Sequence, residues 1–137
     1  MKIDDVPQDE GSCYEGARRA VYAVGQDGQY AAVPTIGWRA EIDATAVSID
    51  AANDRIRAAW QRAQEGATSP LPYHMEAARM ELYLLALEVG MFRWRVKRHF
   101  RPAVFARLKP AIMARYARVL AISVERLCLV PDQPELL

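Results

Sequence analysis

The chain has 137 residues, of which 52% are hydrophobic and 26% are charged. This composition is that of one globular domain with a buried core, and it excludes a disordered or fibrous protein. The acidic start, MKIDDVPQDE, lacks the apolar stretch of a secretory signal, and the longest apolar run, LYLLAL, is too short to cross a bilayer. We therefore expect a cytoplasmic protein with no membrane partner.

The formal net charge of +1 conceals an uneven distribution of charge along the chain. Residues 1–72 contain seven Lys and Arg against eleven Asp and Glu, which gives −4. Residues 73–127 contain eleven Lys and Arg against four acidic residues, which gives +7. A basic half of this kind suits an anionic partner, although the acidic half could instead neutralise it within the fold.

The first 72 residues predict a small β-hairpin and one amphipathic helix. The first twenty residues show little periodicity, so we expect a loose or locally ordered end. In AVYAVGQDGQYAAVPTIGW, the pair Asp27-Gly28 suits a tight turn between two strands, and Pro34 would limit the second strand to an edge. From 43 to 63, apolar residues recur at steps of three and four, which predicts a helix that stops at Gly66. The run GATSPLP then reads as a linker.

Every strong pattern after Pro72 is helical. Residues 73–90, YHMEAARMELYLLALEVG, are apolar on nearly all sides and predict one helix covered on two faces, with the hairpin and the preceding helix as the cover. Gly90 is expected to end this helix, and FRWRVKRHF starts another that Pro102 ends. KPAIMARYARVLAIS predicts a further helix with Pro110 in its first turn, and Ser123 should cap a last short helix, VERL.

Residues 85–102, LALEVGMFRWRVKRHFRP, have the pattern of a helix-turn-helix. Ala86 supplies the small residue that two crossing helices require, and Gly90 supplies the turn. Apolar side chains would lock the second helix against the first: Leu85, Val89, Met91 and Val96. At these residues the chain resembles the phage-repressor-type (lambda-repressor-like) helix-turn-helix family. In that family a loop, a helix like that in RYARVLAISVERL and a short helix capped by Ser or Thr follow the unit.

The resemblance covers residues 73–130 and implies a helix-turn-helix domain there. Residues 1–72 would pack on that domain, and residues 131–137 would form a tail. The expected fold is mostly α: a repressor-like helix-turn-helix bundle with a small N-terminal β-hairpin and an additional amphipathic helix. The resemblance implies double-stranded DNA as the partner. The whole chain also resembles small bacterial proteins, a likeness that implies no activity.

Several positions depart from the family pattern. His99 stands where an aliphatic residue is usual, so the second helix could be anchored through Phe100. Leu84 and Leu87 are apolar where polar residues are common, which predicts cover by the N-terminal part or by another subunit. Large aromatic side chains stand where short polar ones commonly meet base edges: Phe92 and Trp94.

If Val96 turns inward, the outer surface of the second helix carries the candidate nucleic-acid contacts: Arg93, Trp94, Lys97, Arg98 and Arg101. Arginine can pair with a guanine edge or a phosphate, whereas lysine acts as a point charge. Tyr83, near the start of the first helix of the unit, could donate to a phosphate. The alternative is a solvated basic face whose aliphatic stems shield the core. For Trp94 alone, we favour packing against a neighbouring part of the chain.

No pattern of a catalytic or metal site stands out, so we expect no enzyme, no metal and no cofactor. Residues of metal-ligand type lack the local spacing of a zinc site: Cys13, His74, His99 and Cys128. The two cysteines are expected to be free and buried. Acidic residues at the start of the first predicted helix are expected to cap it and to complement its dipole: Glu41, Asp43, Asp50 and Asp54.

The leading interpretation is a small DNA-binding or transcription-associated protein, favoured by the +7 segment around the second helix of the unit. The alternative is a non-enzymatic protein-interaction module that binds no nucleic acid. It would use Phe92, Trp94 and the basic side chains on an acidic protein partner. In either case, the excess apolar surface of residues 73–88 could pair two copies of the chain, so a homodimer is a further hypothesis.

Overall fold

The structure of the protein is a computed structural model that describes residues 1–7, 18–35 and 39–137. It is mostly helical with a small antiparallel sheet, which confirms the predicted class. The chain forms two compact units, residues 1–50 and 51–137. The packing of residues 1–72 on the helical part stays a prediction. The elements are β1 (Arg19–Val24), β2 (Tyr30–Thr35), α1 (Arg39–Gln64), α2 (Leu71–Ala77), α3 (Leu82–Val89), α4 (Arg93–Arg98), α5 (Pro102–Phe105), α6 (Pro110–Val119) and α7 (Val124–Leu127).

The first unit contains the predicted hairpin. Strands β1 and β2 are antiparallel, and Val24 pairs with Tyr30 next to the turn. Gly28 has a φ of +76°, and the Asp27 carboxylate accepts a hydrogen bond of 3.1 Å from the backbone N–H two residues later. In the described part of the chain the sheet has two strands, so Pro34 lies on an edge strand as expected. Half of the first twenty residues, for which we expected a loose or locally ordered end, are residues 8–17, which lie outside the described residues. In the described half, Ile3–Asp5 forms one turn of 3-10 helix.

Helix α1 begins at Arg39, four residues before the predicted start, because the residues that precede Asp43 are also good helix formers. The expected cap role is therefore wrong for three acidic residues that lie inside the helix: Asp43, Asp50 and Asp54. Glu41 is in the first turn, where its charge complements the helix dipole. The predicted stop is confirmed, since Gly66 follows α1 with a φ of +73°.

The single helix predicted for residues 73–90 is wrong, because the structure divides this stretch into α2 and α3. Arg79 takes the left-handed conformation with a φ of +55°. Its N–H donates to the carbonyl of Glu76 at 2.9 Å, and the N–H of Met80 donates to the carbonyl of Met75 at 3.0 Å. These two bonds form a Schellman motif, which closes a helix. The break lets Met80 and Leu82 pack against the core.

Prolines stand in the first turn of three helices, where a missing N–H costs no hydrogen bond. Pro110 in α6 is where the sequence predicts it. Pro102 begins α5, a helix that the sequence analysis did not predict. Pro72 lies inside α2, so the expected linker ends earlier than predicted. Ser123 caps α7 as predicted, since its hydroxyl accepts a hydrogen bond of 3.1 Å from the N–H of Arg126.

The core of the second unit is built around α3, which packs against α4 and α6. The predicted break between α3 and α4 is confirmed, because Gly90 has a φ of +71° and α4 begins at Arg93. The residues predicted to lock the two helices are in this core, three of them buried and Met91 half-buried: Leu85, Val89, Met91 and Val96. Ala86, the predicted crossing residue, is buried in the same core. Among the helices of the described residues, none combines the length and hydrophobicity that a membrane span requires.

The residues after α7 have no regular secondary structure, yet their backbone is held by side chains of α1. The Trp60 indole N–H donates to the carbonyl of Pro131 at 2.8 Å. The Asn53 side-chain oxygen accepts a hydrogen bond of 2.8 Å from the N–H of Leu137. The predicted tail at 131–137 is therefore docked along the second unit, and these bonds satisfy backbone groups that lack a helix or strand partner.

We expect Ala86→Leu to lower the free energy of unfolding by about 1–3 kcal/mol, because a larger side chain overpacks a full core. Ala86 is only 3% exposed on the helix that packs against both α4 and α6. Urea denaturation measures the change. The matched control is Leu87→Ala on the next position of α3, where the side chain is 64% exposed and a change within about 0.5 kcal/mol is expected. Equal effects of the two variants would contradict close packing at Ala86.

Candidate nucleic-acid interface

Helix α4 buries one face and exposes the other. Val96 is fully buried, His99 at the end of the helix is 4% exposed, and Phe100 packs against the same core. The other positions are exposed, as the sequence pattern predicts: Arg93, Trp94, Lys97, Arg98 and Arg101. Arg95 is exposed as well, so residues 93–101 present five cations and a large aromatic ring to solvent.

His99 anchors α4 to α6. Its Nδ1 shares a hydrogen bond of 2.6 Å with the hydroxyl of Tyr116, and the two rings meet edge to face. The Tyr116 hydroxyl also lies 4.0 Å from the sulfur of Met91, in the connection between α3 and α4. The anchor suggested for Phe100 is thus shared with the His99 imidazole.

Ser69, which precedes α2, holds the end of α4. Its hydroxyl donates to the carbonyl of His99 at 2.9 Å, and its N–H donates to the carbonyl of Phe100 at 2.8 Å. These carbonyls follow the last turn of α4 and have no partner within the helix. Ser69 is fully buried, so both bonds are shielded from water. The sequence analysis missed this residue, because nothing near Ser69 in the sequence indicates its partner.

Among the residues that the structure describes, the cations of residues 93–101 have no carboxylate partner. Within residues 1–7, 18–35 and 39–137, the ion pairs involve other cations: Arg55 with Glu76, Arg57 with Asp54 and Arg126 with Glu135. Burial, and then repulsion from Arg95 and Arg98, lowers the pKa of His99. Burial raises the pKa of Tyr116 far above its usual range, so its hydroxyl keeps its proton. The field around α4 is therefore positive and not neutralised locally.

Phe92 and Trp94 form an exposed aromatic pair. Their ring centroids are 6.5 Å apart and their planes differ by 11°. Phe92 is 74% exposed and Trp94 is 64% exposed, so the packing favoured for Trp94 is wrong. The reason is that Trp94 stands on the face of α4 opposite Val96. Beside Phe92 runs a cleft of about 320 Å³ whose lining includes Arg95 and Leu87.

Helix α3, the first helix of the predicted helix-turn-helix, adds one polar and one apolar side chain to the exposed surface. Tyr83 lies in its first turn with an exposed ring. Leu84 is half-buried, whereas Leu87 remains exposed. The cover expected over Leu87 is therefore not supplied by the described residues of this chain.

The residues of metal-ligand type are not brought together. In the described residues, no three side chains of His, Cys, Asp or Glu are placed to hold a metal ion, and Cys13 lies outside those residues. Cys128 is free as expected, but the prediction that it is buried is wrong, because it follows α7 at the surface. His74 is buried and donates from Nε2 to the carbonyl of Leu129 at 2.7 Å.

A scan of protein-family models, a search of curated proteins and a search of solved structures each find no match to this chain. The resemblance to helix-turn-helix repressors therefore remains an interpretation of the chain's own residues.

We expect the free energy of unfolding to be level above about pH 7.5 and to fall as the pH is lowered through about 6.5, the ordinary pKa of histidine. Burial lowers the pKa of both His74 and His99 in the folded protein. The unfolded chain therefore binds more protons in this range, so acid favours unfolding. Urea denaturation between pH 5 and pH 8 measures the fall.

The variant His99→Gln should reduce the fall in the free energy of unfolding at low pH. His74→Gln removes the other buried imidazole, is the matched variant, and should reduce the fall as well. The double variant should be almost independent of pH in the same range. A fall of undiminished size in the double variant would show that other groups control the pH dependence.

Proposed function

We propose that this chain is a small DNA-binding or transcription-associated protein that contacts DNA through α4, the second helix of a helix-turn-helix formed with α3. The observation that supports the proposal is the exposed face of α4, whose cations have no ion-pair partner within the described residues. The break at Gly90 and the buried Val96 give α4 one inward face and one outward face.

Each exposed group has a distinct use in this proposal. Arg93 and Trp94 lie in the first turn of α4, the part of a second helix that meets base edges in the major groove. Lys97, Arg98 and Arg101 lie farther along and would neutralise phosphates. Tyr83, exposed on α3, would donate from its hydroxyl to a phosphate oxygen.

The exposed aromatic pair favours a second candidate function, a protein-interaction module without nucleic-acid binding. Phe92 and Trp94 offer apolar contact area of the kind enriched in the centres of protein interfaces. The surrounding cations would select an acidic partner. Under this alternative, duplex DNA would bind weakly or not at all at physiological salt, whereas Trp94→Ala would disrupt binding of the protein partner.

We expect the logarithm of the DNA affinity to fall with the logarithm of the salt concentration with a slope of about −4, as when four to five phosphates are neutralised. Titration of a random-sequence duplex at several salt concentrations measures this slope. Lys97→Ala should weaken binding to all sequences equally and flatten the slope by about one. The triple variant with Arg93, Lys97 and Arg98 changed to Ala should lose most of the affinity.

The control for the triple variant removes the same charge from α1, with Arg55, Arg57 and Arg62 changed to Ala. Two of these arginines already have carboxylate partners, so their loss should leave most of the affinity and the slope in place. If wild type and the α4 variant bind alike, or if the wild type fails to bind at low salt, α4 does not bind duplex DNA.

We also propose that two copies of the chain pair through the apolar surface of α3. This surface includes the exposed side chain of Leu87. It also includes a cleft of about 530 Å³, which is lined by half-buried Met80 and Leu84 together with Glu88 and Arg118. A two-fold pairing would use the same surface on both copies. Sedimentation should show twice the 15.4 kDa of one chain, and Leu84→Glu should restore the single chain. A wild type that stays at 15.4 kDa at high micromolar concentration would contradict the dimer.

A further inference from the structure

The Phe92–Trp94 pair is an unusual feature for the tip of a helix proposed to read duplex DNA. In a duplex, proteins recognise bases by hydrogen bonds and methyl contacts at the groove edges, because the ring faces are covered by the neighbouring base pairs. The Phe92 ring has no hydrogen-bonding group, and the six-membered ring of the Trp94 indole has none either. What these two residues offer is the flat faces of their rings, and the side chains are 74% and 64% exposed.

The geometry of the pair suits stacking on other planar groups. The two ring planes are within 11° of parallel, so both rings present faces in nearly the same direction. Phe92 caps the start of α4 and Trp94 lies in its first turn, and both backbone positions are fixed by the break at Gly90 and by the buried Val96. Both residues therefore lie next to Val96, which ties this part of the backbone to the core.

The charges around the pair select an anionic ligand. Arg93 lies between the two aromatic residues in the sequence, and Lys97 follows one turn later, with both side chains exposed. Arg95 lines the cleft of about 320 Å³ beside Phe92, a volume at the lower end of the range for small-ligand pockets. Within the described residues these cations have no carboxylate partner. Planar faces next to unpaired cations match bases on a phosphate backbone.

We propose that the Phe92–Trp94 pair stacks on unpaired bases, so that the preferred ligand of α4 is DNA whose bases are free of the duplex, in a single strand or a locally unpaired segment. The cations of α4 hold the backbone, and the rings cover base faces that a perfect duplex does not expose. This proposal rests on the proposed function, since it names the form of DNA that the same site takes.

The test compares three labelled probes of one sequence: a perfect duplex, the same duplex with a central bubble of mismatched bases, and one of its single strands. Wild type should bind the bubble and the single strand about tenfold more tightly than the perfect duplex, the order expected for one stacked base. Trp94→Ala should weaken binding to the bubble and the single strand more than binding to the perfect duplex, and so remove most of this preference. Trp94→Phe should keep it, because a flat ring remains.

The matched control is Leu129→Ala, which removes a 67% exposed apolar side chain from the same unit outside this cleft and should leave the preference unchanged. If the perfect duplex binds as tightly as the bubble, the stacking proposal is wrong although α4 still binds DNA. A preference that survives in a variant with both Phe92 and Trp94 changed to Ala would also overturn it. If none of the three probes binds at low salt, the proposed function itself fails.

Discussion

The hydrogen bond between the His99 imidazole and the Tyr116 hydroxyl holds the end of α4 against α6. A helix of six residues has no stability of its own in water, so α4 exists because of what it buries. Either polar group alone in the core would cost about 1–3 kcal/mol, whereas the pair satisfies both. With Val96 and the bonds from Ser69, it fixes the helix at its end. The outward direction of the cations follows from these inward contacts.

The helix ends show why part of the fold could be predicted from the sequence and part could not. Four helices close with the same Schellman pattern of hydrogen bonds, and Gly66 and Gly90 mark two of them in the sequence. At the other two, Arg79 and Ala121 take a φ of +55°, a conformation that costs a residue with a side chain about 1–2 kcal/mol. That cost is offset by tertiary packing of the next residue, such as Met80 on the core. Local sequence holds no sign of that packing, which is why the stretch 73–90 was predicted as one helix.

Some features of the candidate site could likewise be predicted from the local sequence, and others depend on residues far apart in the chain. The exposure of Lys97 and Arg98 could be predicted because the helical period that turns Val96 inward also turns its neighbours outward. The same helical period also places Trp94 on the exposed face of α4, in agreement with its exposure, whereas the expectation that Trp94 packs against the chain was wrong. The contact of Ser69 with His99 joins residues 30 positions apart, and that of Asn53 with Leu137 joins residues 84 apart. Pairings of this kind depend on the assembled core and leave no periodic pattern in the chain.

The charges on the outside of α4 and the imidazole on its inside are coupled. Next to burial, repulsion from Arg95 and Arg98 lowers the pKa of His99, because a protonated imidazole would add a third positive charge. An anion held by Arg98 would weaken that repulsion and raise the pKa again. Proton binding and anion binding would then favour each other, since coupling between two sites is reciprocal. Burial is the larger cause of the sensitivity of α4 to acid, and Arg98, which would also hold a phosphate, adds to it; a bound backbone would reduce the part that Arg98 contributes.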